Sequence, residues 1–227
     1  MKFSKVFYFW KEKNNSKTLL LFLTIFFTLH LLMGCTAQEA PPGEQLMSGD
    51  LEVHFIDVGQ ADSILIKGPQ GESLLIDAGE NSSGDFLVNY LKSQGISKLD
   101  VVVATHPHAD HIGGMDKIIL NIPIEKFYMP KVSPTPTTRT YEEMLEALLA
   151  KDLKITQVRS GVQLDLPGIT GVFLGPVASE YDNYNDYSAI LKISYGNTSF
   201  LFTGDAESEA EKDLLGKGDL QATVLKV

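Results

Sequence analysis

The sequence predicts an α/β fold built from packed layers of sheet and helix. Three observations carry that prediction. Short apolar runs recur that suit strands rather than helices. Amphipathic stretches of helical period lie between them. Gly, Pro and Asn punctuate the junctions. Mixed order of this kind argues for α/β layers over an all-β sandwich.

In chain order, "LEVHFID" alternates, with Leu51, Val53 and Phe55 on one face, and reads as a strand. "DSILIK" and "SLLID" are strands separated by the turn "GPQGE". "DFLVNYLKSQG" has helical spacing and a terminal Gly. "LDVVVAT" is a continuous apolar run, expected as a buried strand, and a loop rich in histidine follows it. A short helix is expected near Gly114–Leu120, then a strand at "IEKFYM". "PKVSPTPTTRT" is too rich in Pro to be regular, and "YEEMLEALLAKD" is a helix. "KITQV", "GVQLDL" and "ITGVFLG" read as successive strands, and "PVASEYDNYND" as a loop. "SAILKISYG" and "TSFLFTG" form a hairpin around Gly196–Asn197. "AESEAEKDLLGKG" is a helix with acids in its first turns, as the helix dipole favours. "ATVLKV" is a final strand, expected to be buried.

The first 34 residues read differently. Lys2, Lys5, Lys11, Lys13 and Lys17 precede the apolar run "LLLFLTIFFTLHLLMG", which ends just before Cys35. A basic region, an apolar core and a small-residue cleavage site describe a secretory signal. "LMGC" resembles a bacterial lipoprotein box, which implies lipidation of Cys35 and an extracytoplasmic domain anchored to the membrane. Residues 35–50 include Pro41, Pro42 and two Gly and read as a flexible linker, with the domain over 51–227. Residues 1–34 hold five of the 19 basic side chains and one of the 29 acidic ones. The remainder therefore carries 14 against 28, a net −14. That balance disfavours broad electrostatic binding of nucleic acid, but not a polyanion held locally by metal ions. A single Cys forms no internal disulfide.

The chemistry concentrates in "THPHADHIGG". His106, His108 and His111 are three of the five histidines of the chain, with Asp110 beside the last. The segment follows a strand and precedes two glycines, so it is expected as a loop needing backbone freedom. Histidines at i and i+2 of an extended segment can converge on one ion, and the Asp–His pair can turn to another. Imidazole with carboxylate suits Zn, Mn or Fe.

This motif resembles the signature of the metallo-β-lactamase superfamily. "HFIDVGQADSILI", "LLIDAG", "VVVATHPHADHIGG", "NDYSAILKISYG" and "FLFTGDAE" occur in the order of a narrower subgroup. That subgroup is the extracytoplasmic domain of the bacterial competence DNA-uptake channel protein and its stand-alone lipoprotein relatives. The match runs from Leu51 to Val227. The resemblance implies an αββα sandwich and a centre of two divalent ions, zinc first. His106 and His108 would hold one ion, Asp110 and His111 the other, and Asp205 both. Asp77 would orient a ligand histidine, while Asp57 and Asp62 would line the site. Asn185, Asp186 and Ser188 stand where true lactamases have a metal-binding histidine, and one of them would touch metal or substrate.

Two departures qualify the match. The subgroup usually has Gly where Ala61 stands, which matters if the backbone there is left-handed. The subgroup also places another histidine directly after a strand like "ATVLKV", whereas this sequence stops at Val227. The sequence is thus expected to be a fragment with an incomplete second half. The implied reaction is metal-dependent hydrolysis, with Asp110 orienting the attacking water and a phosphodiester as substrate, DNA first. The alternatives are thioester or lactam hydrolysis, or an inactive lipid-anchored metal-binding module if Val227 is the true terminus.

Overall fold

A computed structural model of the chain describes residues 49–227. The leader, Cys35 and most of the linker lie outside the described residues, and among the described residues no helix is long and apolar enough to cross a membrane. Among the described residues, ten strands form two sheets. The first sheet has the order β1 (Glu52–Phe55), β2 (Ile64–Lys67), β3 (Ser73–Ile76), β4 (Leu99–Val103), β5 (Ile124–Pro130) and β6 (Ile155–Val158). Its first two pairings are antiparallel, and β3 through β6 run parallel. The second sheet has β7 (Thr170–Phe173), β8 (Leu191–Tyr195), β9 (Thr198–Phe202) and β10 (Val224–Lys226), in the order β10-β9-β8-β7.

Alternation along the strands sorts the core into layers. Leu65, Leu75, Val102 and Phe127 face helices α1 (Gly84–Ser93), α3 (Met115–Asn121) and α4 (Arg139–Ala150). Their neighbours Ile64, Ile66, Leu74, Ile76, Val101 and Val103 face the second sheet, against Phe173, Leu191, Ile193 and Phe202. On the far side of that sheet, Ile190 and Leu201 pack under Leu214 of α5 (Ser208–Leu214). Helices thus cover both outer faces of two stacked sheets, an αββα arrangement. Each fully buried Leu, Ile or Val contributes ~1.5–3 kcal/mol, so the apolar runs determine the layering.

Three expectations are corrected. "GVQLDL" forms no continuous strand: Gln163 makes an isolated bridge to Val172, flanked by backbone hydrogen bonds from Gly161 N–H to Phe173, Phe173 N–H to Val162 and Leu164 N–H to Gly171. Lys126 Nζ takes the Asp165 carbonyl, and Gly161 turns the chain with φ +89°. β10 is not a buried strand, since it lies at the sheet edge with Leu225 59% exposed. Phe55 is 52% exposed, although Leu51 and Val53 do pack on the core between the sheets.

Candidate metal centre

The centre lies where parallel strands β3 and β4 end. β4 continues through Ala104, whose N–H donates to the Tyr128 carbonyl, into buried Thr105 and His106. β3 ends at Asp77, where the backbone turns left-handed with φ +57°. Asp is among the few residues that tolerate this conformation. The turn brings its carboxylate back to the end of β4. Asp77 is 1% exposed and accepts three hydrogen bonds. Thr105 N–H donates to Oδ1 at 2.8 Å, and Thr105 Oγ1 and His111 Nδ1 donate to Oδ2 at 2.6 and 2.8 Å.

The histidine segment is only half loop. His108 immediately precedes a short helix, α2 (Ala109–Ile112), so Asp110 and His111 sit on one helical turn. Ala78 N–H donates to the His111 carbonyl at 2.7 Å and locks that turn against the end of β3. The two glycines serve close approach rather than unusual dihedrals. A Cβ on Gly113 would meet Asn81 N at 2.2 Å, and one on Gly114 would meet the Ala78 carbonyl at 2.4 Å.

These constraints converge the donors. His106 Nε2 and His108 Nδ1 are 3.1 Å apart, with their rings edge to face. The His106 and His111 ring centroids are 4.1 Å apart. His111 Nε2 lies 3.2 Å from Asp205 Oδ1 and 3.9 Å from Asp110 Oδ2. Donor atoms of His106, His111 and Asp205 all fall within 4.8 Å of one another. Asp205 follows Gly204, whose φ of +55° and closeness to Ser188 Oγ require a glycine. Asp205 N–H donates to that same Ser188 Oγ at 3.2 Å.

Burial pushes His106 down to about 3, helped by its positive neighbour His111, so it is a neutral imidazole with a lone pair. Burial also pulls on His111, but hydrogen bonds to Asp205 and Asp77 outweigh it and lift it to about 10. His111 in turn holds Asp205 below the usual carboxylate range. The cluster therefore demands positive charge among its carboxylates. The donor set fits divalent ions: two nitrogens at Zn–N distances on one tetrahedral ion stand about 3.3 Å apart, close to the His106–His108 separation.

Other expected residues distribute unevenly. Asp62 joins the site: its N–H donates to the Asp110 carbonyl, and its carboxylate lies 3.9 Å from His111 Nδ1. Ala61 keeps a negative φ, so its methyl is no obstacle. Asp57 is exposed and accepts from Gly59 N–H in a local turn. Asp186 is fully buried, and its Oδ1 accepts from Glu207 and Ala210 N–H at 3.0 Å each. It caps α5 from another segment, so the structure gives it no role toward metal or substrate. Asn185 donates to Glu207, while its Oδ1 accepts no hydrogen bond among the described residues. His54 is remote, bonded to Tyr90 and Glu52.

Two neighbours escaped the sequence reading. Lys226 of β10 pairs with Asp62. Its signal was a lone cation in an apolar strand. Tyr184 lays its ring edge to face with His108, centroids 6.0 Å apart, and its hydroxyl donates to the Pro134 carbonyl. Its signal was the aromatic content of "YDNYNDY".

A family model for the metallo-beta-lactamase superfamily matches residues 56–226. The chain belongs to the metallo-β-lactamase superfamily. Members of this superfamily are generally hydrolases that bind divalent metals at a dinuclear centre. Its homologues include competence proteins. ComE operon protein 3 of Bacillus subtilis is 29% identical over 199 residues, 80% of this chain and 25% of that protein. Competence protein ComA of Neisseria gonorrhoeae is 25% identical over 185 residues, 80% of this chain and 24% of that protein. Ribonuclease Z of Aeropyrum pernix is 30% identical over 111 residues, 46% of this chain and 34% of that protein. The chain spans about a quarter of the length of its competence relatives.

Proposed function

We propose that this metallo-β-lactamase superfamily chain is a phosphodiesterase, acting outside the cytoplasm on a nucleic-acid strand, with DNA the first substrate. The observation that carries the reading is the convergence of His106, His108, His111 and Asp205 at metal-ligand separations. The nuclease and competence relatives support the substrate class.

His106 and His108 would hold one ion, Asp110 and His111 a second, and Asp205 both, with zinc favoured by the imidazole-rich set. Bound ions would acidify water and neutralise charge on phosphate oxygens. The residues of the chain do the rest. Asp77 accepts the Nδ1 proton of His111, which aims Nε2 at Asp205 and Asp110. Ser188 and Gly204 position Asp205. Asp110, with a side chain 43% exposed against 38% for Asp205, is open to solvent and suited to orient the attacking water. The extracytoplasmic placement rests on the leader and Cys35 in the sequence. Labelling with a fatty-acid probe, lost in Cys35→Ser, tests it.

The activity test is hydrolysis of bis-p-nitrophenyl phosphate by protein loaded with zinc or with manganese. Turnover that disappears with chelator is expected. No turnover with either ion, alongside hydrolysis of nitrocefin, would replace this reading with lactam hydrolysis.

A further inference from the structure

We propose that a cleft beside the metal centre, carrying Lys131 and Arg159, is the subsite for phosphates flanking the scissile one in a nucleic-acid strand. This rests on the phosphodiesterase reading above. The placement follows from strand register. Val103 pairs with Tyr128, and Tyr128 with Thr156, in parallel strands. Ala104 N–H still donates to the Tyr128 carbonyl and Pro130 pairs with Val158, so Lys131 and Arg159 leave β5 and β6 on the side of the sheet where β4 runs out into Thr105 and His106. Adjacent strands are ~4.8 Å apart, so the two cations step away from the metal loop by about 5 and 10 Å.

The cleft is built rather than incidental. It has a volume of about 380 Å³, lies between the exits of β5 and β6 and the Pro176–Glu180 segment, and includes Ser133, Gln157 and Ser179 among its polar walls. Ser160 N–H donates to the Pro176 carbonyl, and Val177 and Ala178 N–H both donate to Tyr181 Oη. Tyr187 and Tyr184 hydroxyls donate to the Ser133 and Pro134 carbonyls, which joins the cleft to the tyrosine that faces His108.

The charges are free for a ligand. Arg139, the only other arginine in the sequence, is engaged by Glu142, Glu143 and Glu146. Lys67, Lys98, Lys126 and Lys192 are paired as well. Lys131 and Arg159 are exposed and form no ion pair among the described residues. On a surface of net negative charge, two unpaired cations in one cleft beside the centre provide the local attraction that the whole surface lacks. Glu180 also lines the cleft, and its carboxylate opposes a phosphate there.

The test is binding of fluorescein-labelled phosphorothioate decathymidylate to the zinc-loaded chain, followed by anisotropy across salt. Its backbone keeps the charge and resists hydrolysis. Each phosphate contact contributes ~0.7 to the single-strand salt slope. The double variant Lys131→Gln/Arg159→Gln is expected to lose about 1.4 of slope. Between 50 and 200 mM salt the parent should then lose about sevenfold more affinity than the variant. Lys151→Gln, elsewhere on the surface, should match the parent, and Glu180→Gln should bind tighter at low salt. The charge-retaining pair Lys131→Arg/Arg159→Lys should recover the slope. An unchanged slope in the Gln pair, an equal loss in Lys151→Gln, or no binding by the parent overturns the subsite. Loss of bis-p-nitrophenyl phosphate hydrolysis in the parent instead removes the phosphodiesterase reading.

Discussion

Replacing Asp77 by Asn separates a carboxylate that merely forms a turn from one that sets the metal centre. Asn also tolerates the left-handed backbone at φ +57°, so the turn survives. Its side-chain oxygen can keep the bond from Thr105 N–H. Its amide nitrogen replaces Oδ2, and two donors then face each other at His111 Nδ1. His111 must move, or take the tautomer that places its proton on Nε2. Either change spoils the atom aimed at Asp205 and Asp110. The lost hydrogen bond to a charged group costs about 1.5–3 kcal/mol of stability.

Loss of a partner that orients a ligand histidine weakens metal binding ~10–100-fold. Asp77→Ala goes further: it orphans the buried Thr105 N–H and puts Ala at a left-handed position, for a total of roughly 4 kcal/mol. The assay is zinc affinity by chelator competition, paired with urea denaturation in chelator. Asp77→Asn should shift both readouts. If it is destabilised but binds zinc within about twofold of the parent, where at least tenfold is expected, Asp77 is a turn former and the orientation argument fails.

Asp205→Asn weakens the carboxylate that groups with His106 and His111, so elemental analysis should show less bound metal than in the parent; unchanged content would remove Asp205 from the centre. Asp186→Ala leaves Glu207 and Ala210 N–H without their acceptor, at a cost of ~1–3 kcal/mol, read by urea denaturation, while zinc content stays at the parent value; a loss of zinc with stability intact would return Asp186 to the site. Asp100 has its carboxyl group held below the usual range: burial pushes upward, but Lys98 and Ser73 more than offset it. Its contribution is thus complete above the unfolded-state value near 3.9 and is lost as pH falls through the lower folded value. Asp100→Asn should therefore cost ~0.5–1 kcal/mol at pH 7 and progressively less toward pH 3. A cost that grows on acidification would contradict the sign.

What could be read in advance follows the range of the interaction that decides it. The strands of both sheets, the hairpin at Gly196 and helices α1, α3, α4 and α5 are specified by neighbours a few residues apart. Apolar period and Gly or Pro punctuation located nearly all of them. The metal loop was legible for the same reason: its four candidate ligands lie within six residues. The misreadings have distant causes. "GVQLDL" has the pattern of a strand, but Lys126, 39 residues away, takes the Asp165 carbonyl. Of Asn185, Asp186 and Ser188, the sequence could not single out one, and the cap that the Asp186 oxygen gives a helix 21 and 24 positions on is invisible to local pattern. The Gly113–Gly114 pair suggested unusual dihedrals, while the requirement is contact with the turn after β3.

Lys226 and Asp62, 164 residues apart, meet only because β10 lies parallel to β9 at the edge of the second sheet. The same logic bears on substrate choice. A dinuclear centre identifies hydrolysis through local spacing, but the groups that would select a nucleic-acid strand, Lys131 and Arg159, are consecutive only across strands. On the proposed reading, selectivity would be encoded in sheet register rather than in the motif. On that reading, neutralising the cations at the exits of β5 and β6 should weaken binding of the strand while leaving the histidine cluster its metal.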